Sequence, residues 1–192
     1  MNSPGTVLVV CTGNVCRSAY IERRLAHALR GTGIKVTSAG TRALVGRDMD
    51  PSSRALLEQA GVDADGFTAR QLTAELVAGA DLVLTAAREH RTVAAQLHPA
   101  ALRRVMTLQD LADLLDGADL AHHRPLDPAA PWVRQVVEAA AMRRGVVVAR
   151  QDHVDVTDPI GGPPELFAQM RDEVDAALPA IVAALRFRSP TA

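Results

Sequence analysis

The sequence predicts an α/β fold built on a parallel sheet, and three observations carry that expectation. Over the first 108 residues, short β-branched runs alternate with segments of helical period. Strands that alternate with helices pair in parallel through right-handed crossovers. The chain has 192 residues, enough for one sizeable domain and too few for two comfortable ones. Hydrophobic residues make up 48% of it and aromatic ones only 3%. A full core is therefore available, and it must be built from Leu, Val, Ile and Ala.

The elements follow in chain order. "TVLVV", 6–10, lies between Pro-Gly and Thr-Gly and reads as a buried strand. From Ser18 the period changes: Ile21, Leu25, Ala28 and Leu29 share one helix face, with Glu22, Arg23 and Arg30 turned away. "IKVTSAG", 34–40, is a second strand, and "PSSRALLEQAG", 51–61, a helix with a glycine stop. "ADLVLTA", 80–86, is a third strand, 88–97 a helix, and "RRVMTL", 103–108, a fourth strand. Residues 110–130 show weak periodicity, 131–144 look helical, and "GVVVAR", 145–150, reads as a short strand or a helix tail. Residues 164–187 form an amphipathic helix with Leu166, Met170, Val174, Leu178, Ile181 and Leu185 on one face and Pro179 as a kink point. "RSPTA", 188–192, is expected to fray.

Composition excludes several classes of function. The formal net charge is −1, so no whole-chain field attracts nucleic acid or anionic lipid, and any anion must be held locally. Two cysteines make no disulfide framework, and they read as reduced or reactive thiols. No basic n-region precedes a long apolar stretch, and no run reaches the roughly 18 apolar residues of a membrane span. The expectation is a cytoplasmic protein without membrane or nucleic-acid partners. His122–His123 and the "DHVD" run at 152–155 have no companions at metal-ligand spacing, so no metal site is expected. The pairs Arg23–Arg24, Arg103–Arg104 and Arg143–Arg144 read as solvated faces.

Both cysteines stand in "VLVVCTGNVCRSAY", 7–20, just past the first strand. Ligands of parallel sheets bind beyond the carboxyl ends of the strands, where Cys11 falls. A loop over 12–16 between strand and helix would turn its N–H groups inward, at the positive end of the helix dipole. Thr12, Gly13, Asn14, Val15, Cys16 and Ser18 would line this cradle, with Gly13 and Asn14 suited to left-handed backbone. Arg17 can present two parallel N–H donors to an oxyanion. A thiol in such a field is expected to ionise, and Ser18 to donate its hydroxyl to that sulfur. The pattern describes metal-free nucleophilic phosphoryl transfer by Cys11.

The string "CTGNVCRS" after an apolar strand resembles the loop of the low-molecular-weight protein tyrosine phosphatases, Cys-x-Gly-Asn-x-Cys-Arg-Ser. "SAGT" at 38–41, "MDP" at 49–51, "ARQLT" at 69–73 and "REH" at 88–90 fall in family order. The resemblance covers 6–108 and about 155–186. It implies a three-layer, flavodoxin-like domain with a four-stranded parallel sheet in order 2-1-3-4. It implies hydrolysis of protein phosphotyrosine, and of aryl phosphomonoesters generally, through a cysteinyl-phosphate, with no cofactor. Phosphate and other oxyanions would occupy the loop. Ser38 would brace Asn14, and Asp158, in "DVTDPIGGPPELF", would be the general acid and later the base. Asp152 and Asp155 are the competing carboxylates. Against the family's needs, 110–150 reads as a helical insertion within a single domain spanning 1–192, either a packed surface helix or one that caps the cleft, recognises a partner or forms a homodimer contact.

The sequence also departs from the family. Ala19 replaces the proline that opens the first helix. Phe67 stands where many relatives carry a histidine near Asn14 and Ser38, and Ala87 where they often carry Asp. Ile160 takes the place of an aromatic cleft wall, leaving Tyr20, Trp132 and the phenylalanines as the only rings. Cys16 is either a disulfide partner for Cys11 under oxidant or a buried filler. Val15, where phosphoarginine-directed relatives carry Thr, leans toward tyrosine. Two further readings are kept: an arsenate reductase using an external thiol, and a phosphate-binding module with weakened catalysis.

Overall fold

The structure, a computed structural model, describes residues 3–152 and 154–187. Its centre is a parallel sheet of four strands: β1 Thr6–Cys11, β2 Lys35–Gly40, β3 Leu82–Thr85 and β4 Val105–Thr107. The order is β2-β1-β3-β4, as expected, with Val9 opposite Ser38 and Val10 opposite Thr85. Strand alternation divides the core. Val7, Val9 and Cys11 face a larger apolar cluster, while Leu8 and Val10 face a smaller one.

The larger cluster is built with α1 Arg17–Ala28, α2 Pro51–Gln59, α5 Leu108–Leu115, α6 Trp132–Met142 and α7 Pro164–Arg186. The smaller one is closed by α3 Ala74–Gly79 and α4 Arg88–Leu97. Helices on both faces give three layers. From β1 the chain passes first to β2 on one side and then to β3 on the other. The order reverses at the carboxyl end of β1, and Cys11 is the last residue of that strand.

Local chemistry accounts for the boundaries. Asp50 caps α2 by accepting from Ser52 N at 2.8 Å, with Pro51 at the first helical position. The glycine stop holds, because Gly61 adopts φ +67.

Four segments differ from the sequence reading. Helix α3 was not expected; six residues are too few to show a helical period, and Thr73 caps it by accepting from Leu76 N. Helix α5 begins directly on β4, capped by Thr107, so the weakly periodic stretch starts only after it. The fourth strand is shortened to three residues by a 3-10 segment, Pro99–Arg104, whose proline lacks the N–H a ladder uses. Residues 145–150 form neither strand nor α-helix: a 3-10 turn at Arg143–Gly145 runs on into irregular chain with Val146 and Val148 exposed. Helix α7 continues through Pro179. The expected fraying of 188–192 lies outside the described residues.

Gly40, the last residue of β2, shows how closely the next loop presses on the sheet. A Cβ there would sit 2.4 Å from Thr12 O and 3.0 Å from Ala43. Gly40→Ala is expected to lower unfolding stability by about 1–3 kcal/mol in urea titrations, since backbone must move to admit the methyl. Unchanged stability would mean that this contact is not tight.

Candidate active site

The loop after β1 is held by one side chain. Asn14 is buried and adopts left-handed backbone, φ +57. Its Oδ1 accepts from Arg70 N at 2.9 Å, which fixes the orientation of the amide. Its Nδ2 then donates to Ser18 Oγ at 2.9 Å and to Ser38 Oγ at 2.7 Å. Ser38 in turn donates to Glu22 Oε2, and Arg70 Nε donates to Ser38 O at 2.6 Å. With its oxygen accepting from Asn14, Ser18 has its hydroxyl hydrogen free for Cys11 Sγ, 2.9 Å away. Asn14 N donates to the same sulfur at 3.3 Å. The expected Ser38 brace is present. The left-handed turn, however, is made by Asn14 alone, since Gly13 lies outside that region.

Glu22 and Arg70 escaped the sequence reading. Glu22 was placed on the outward face, yet it bends over the helix edge to Ser38, and its side chain is only 17% exposed. Burial raises its pKa, opposed by the Ser38 hydrogen bond. The available signal was spacing: Glu22 lies one helical turn after Ser18, on the same side of α1.

Cys16 precedes α1 and offers no capping hydrogen bond to it. Among the described residues, the backbone N–H groups of Gly13, Val15 and Cys16 have no acceptor. These donors and the start of the helix dipole surround a pocket of about 250 Å³ that also touches Cys11, Thr12, Arg17 and Asp158. Both cysteines are free and buried. Burial, with Asp50 and Cys11 adding, pushes the Cys16 thiol up to about 12. Cys16 is therefore held in its neutral form at ordinary pH.

Arg17 is buried and donates to Asp158 Oδ2 at 2.6 Å and to Thr12 Oγ1 at 3.3 Å. The Asp-Pro loop that delivers Asp158 is tied down at several points. Val156 N donates to Ala86 O at 2.8 Å, and Arg17 Nη1 to Val156 O at 3.5 Å. Thr157 binds Glu173 of α7 through its N–H at 2.7 Å and its hydroxyl at 2.8 Å. Asp155 is used elsewhere, accepting from Arg88 N at 2.8 Å at the start of α4. Asp152 is exposed and does not line the pocket. Of the three carboxylates weighed, only Asp158 faces the cysteine pocket.

His90, from the "REH" run, is buried with Nε2 2.9 Å from Thr12 Oγ1. Burial first, and then Arg17, push its pKa down to about 4. A neutral ring thus sits behind the loop without adding charge. Of the histidines raised for metal binding, His122 lies 2.6 Å from Asp119 and His123 3.8 Å from Glu138. His153 lies outside the described residues.

A sequence model of the family described as low molecular weight phosphotyrosine protein phosphatase matches residues 6–143. The chain belongs to that family. Residues 6–143 include the whole cysteine loop, run past Leu108, and stop short of Asp158. The chain is also similar to a probable low molecular weight protein-tyrosine-phosphatase, EpsP, of Ralstonia solanacearum. The two are 39% identical over 106 residues, which are 55% of this chain and 72% of that protein. In fold it resembles the crystal structure of the Erwinia amylovora tyrosine phosphatase AmsI, with a TM-score of 0.69, 24% identity and coverage of 97% of this chain and 95% of that one. It resembles equally the YwlE arginine phosphatase of Geobacillus stearothermophilus, with a TM-score of 0.69, 24% identity and coverage of 95% and 94%.

The departures from this family can now be placed. Phe67 is buried and lies under the Arg23 guanidinium, 5.7 Å from the ring centre, while Glu22 and Arg70 complete the network. Ala87 leaves α4 without a cap of its own, and Asp155 supplies the acceptor from another loop. Among the described residues, no ring lines the pocket. Tyr20 is buried, and Trp132 packs against Phe187 at a tilt of 39°. The rim is instead Ile160, Leu44 and Arg42, the last two unforeseen.

Two outcomes follow. Ser38→Ala strips a buried hydroxyl from Asn14 and Glu22 and is expected to cost about 1–3 kcal/mol in urea denaturation, with slower turnover; full stability and turnover would show that the network is dispensable. For His90, an unfolded chain takes up a proton near pH 6.5 that the folded chain refuses until about 4. Stability attributable to this ring is therefore lost as pH falls through that window. The acid-side loss is expected to shrink in His90→Gln, and parallel pH profiles of the two proteins would contradict it.

Proposed function

We propose that the chain hydrolyses phosphotyrosine in protein through a cysteinyl-phosphate. The observation that carries this reading is the single pocket where Cys11, Arg17 and Asp158 meet beneath unpaired loop amides. A phosphoryl group entering it competes for the Arg17 donors and frees the Asp158 carboxyl. The loop amides of Gly13, Val15 and Cys16 bind its oxygens, with donors set in place before the reaction begins.

Cys11 Sγ, as the thiolate, then attacks phosphorus as the bond to the phenolic oxygen breaks, and Asp158, in its protonated form once Arg17 has turned to the phosphoryl group, gives its proton to the leaving oxygen. In the second step Asp158 takes a proton from water, whose oxygen attacks phosphorus. The S–P bond breaks, inorganic phosphate leaves, and the sulfur recovers its hydrogen bonds from Ser18 and Asn14.

The fold is shared with both a tyrosine and an arginine phosphatase, so it does not choose between them. The aliphatic rim of Val15, Leu44 and Ile160 supports an aryl group over a guanidinium. The weakened-module reading loses support where Glu22, Arg70 and Asp155 supply what Phe67 and Ala87 do not. An arsenate reductase would need an external thiol, since the sequence holds no third cysteine.

The test is hydrolysis of p-nitrophenyl phosphate and a phosphotyrosine peptide in the presence of chelator. Cys11→Ser is expected to abolish both. Asp158→Ala should slow the peptide more than the nitrophenyl ester, by about 10²–10⁴-fold, because the poorer leaving group needs the proton more. Turnover that survives Cys11→Ser, or arsenate-dependent thiol oxidation in place of hydrolysis, would overturn the proposal.

A further inference from the structure

A second cavity, of about 740 Å³, lies away from the cysteine loop. Its walls are Arg91 of α4, the 3-10 segment Pro99–Arg104, and residues of 124–144. Arg104 donates to Ala78 O at 3.0 Å, and Arg134 pairs with Asp81 at 2.9 Å. These contacts place the groove at the amino ends of β3 and β4, whereas Cys11 is at the carboxyl end of β1.

Among the described residues, six arginines line the groove, Arg91, Arg103, Arg104, Arg124, Arg134 and Arg144, against one acid, Glu138. This concentration stands out on a chain of net charge −1. Arg134 is the one among them with a carboxylate partner among the described residues. Glu138 is already engaged, accepting from Leu126 N at 2.8 Å. Arg103, Arg124 and Arg144 are exposed and unpaired with any described acid. Burial, with Arg134 adding, pushes Arg104 below the usual guanidinium range, as like charges crowded together do. Arg103, Arg104 and Arg144, from two arginine pairs that read as separate solvated faces in the sequence, thus line one groove, while Arg143 turns to the Leu114 and Asp116 carbonyls.

The groove is also apolar. Leu102, Leu126 and Met142 are 52%, 86% and 68% exposed on its lining, and Val137 and Ala141 lie beside them. Large side chains of this kind clustered in a concave surface mark a place where apolar groups dock.

We propose that this groove binds an acidic segment of a partner protein that also carries aliphatic side chains. Arginine forks match carboxylates in pairs, and the leucines and methionine receive the aliphatic groups. Among the described residues, the lining holds no aromatic ring on which a base would stack. Polyphosphate would leave the apolar wall uncovered, and a bilayer surface would not enter a recess.

Fluorescence anisotropy on the full chain tests this with four probes: a labelled tyrosine-free peptide alternating Glu and Leu, the same peptide with Ser for Leu, inorganic polyphosphate, and vesicles containing anionic lipid. The Glu-Leu peptide is expected to bind, more weakly as salt rises. Both the Ser peptide and the variant Leu102→Ser should bind several-fold less well. The double variant Arg103→Glu/Arg144→Glu should lose about tenfold or more. Hydrolysis of p-nitrophenyl phosphate by both variants should stay at the parent rate, which reports intact folding. No binding of the Glu-Leu peptide, equal binding by the variants, equal binding of the Ser peptide, or preference for polyphosphate or vesicles would each overturn the proposal.

Discussion

The amide of Asn14 is the interaction on which the rest of the site depends. It is fixed by a backbone N–H from Arg70, and it spends both its hydrogens on Ser18 and Ser38. That arrangement stabilises a left-handed residue inside a buried loop and gives direction to the protons around it. Ser18 is left facing Cys11 with a hydrogen to donate, and the amides of Gly13, Val15 and Cys16 are left without acceptors among the described residues. A cradle built this way is set before any anion arrives, which is where electrostatic catalysis gains most.

The support for that cradle comes from distant parts of the chain. Glu22 belongs to α1, Ser38 to β2 and Arg70 to the loop before α3. The Asp-Pro loop is fastened by Glu173 of α7 and by the start of α4. Phe67 and Ala87 offer no polar side chain, and the hydrogen bonds around them come from Glu22, Arg70 and Asp155. A scaffold can thus keep its geometry while individual residues change, provided each buried donor still meets an acceptor. Cys16, close to the nucleophile in sequence, is kept chemically quiet by burial.

Much of this was legible in the sequence because it is local. The strand, the loop and the helix start are consecutive, and Cys11, Arg17 and Ser18 carry their chemistry in their spacing. Alternating apolar runs gave the parallel sheet for the same reason. What was not legible depends on contacts between distant segments. Glu22 looked solvent-facing by period alone, and only the approach of β2 turns it inward. Arg42 and Leu44 reach the pocket because residues 41–44 run along the loop, with Thr41, Arg42 and Leu44 donating to Cys11, Thr12 and Gly13 carbonyls. Helix α3 was too short to show a period, and α5 was hidden by starting on the last residue of a strand.

The Asn14 side chain, and not merely a flexible backbone at that position, shapes the anion cradle. Calorimetric titration of the parent protein and Asn14→Gly with inorganic phosphate tests this, since glycine keeps the left-handed backbone accessible while removing the amide. Phosphate affinity is expected to fall by about tenfold or more in the variant, a loss of about 1.4 kcal/mol. Equal affinity in the two proteins would contradict it.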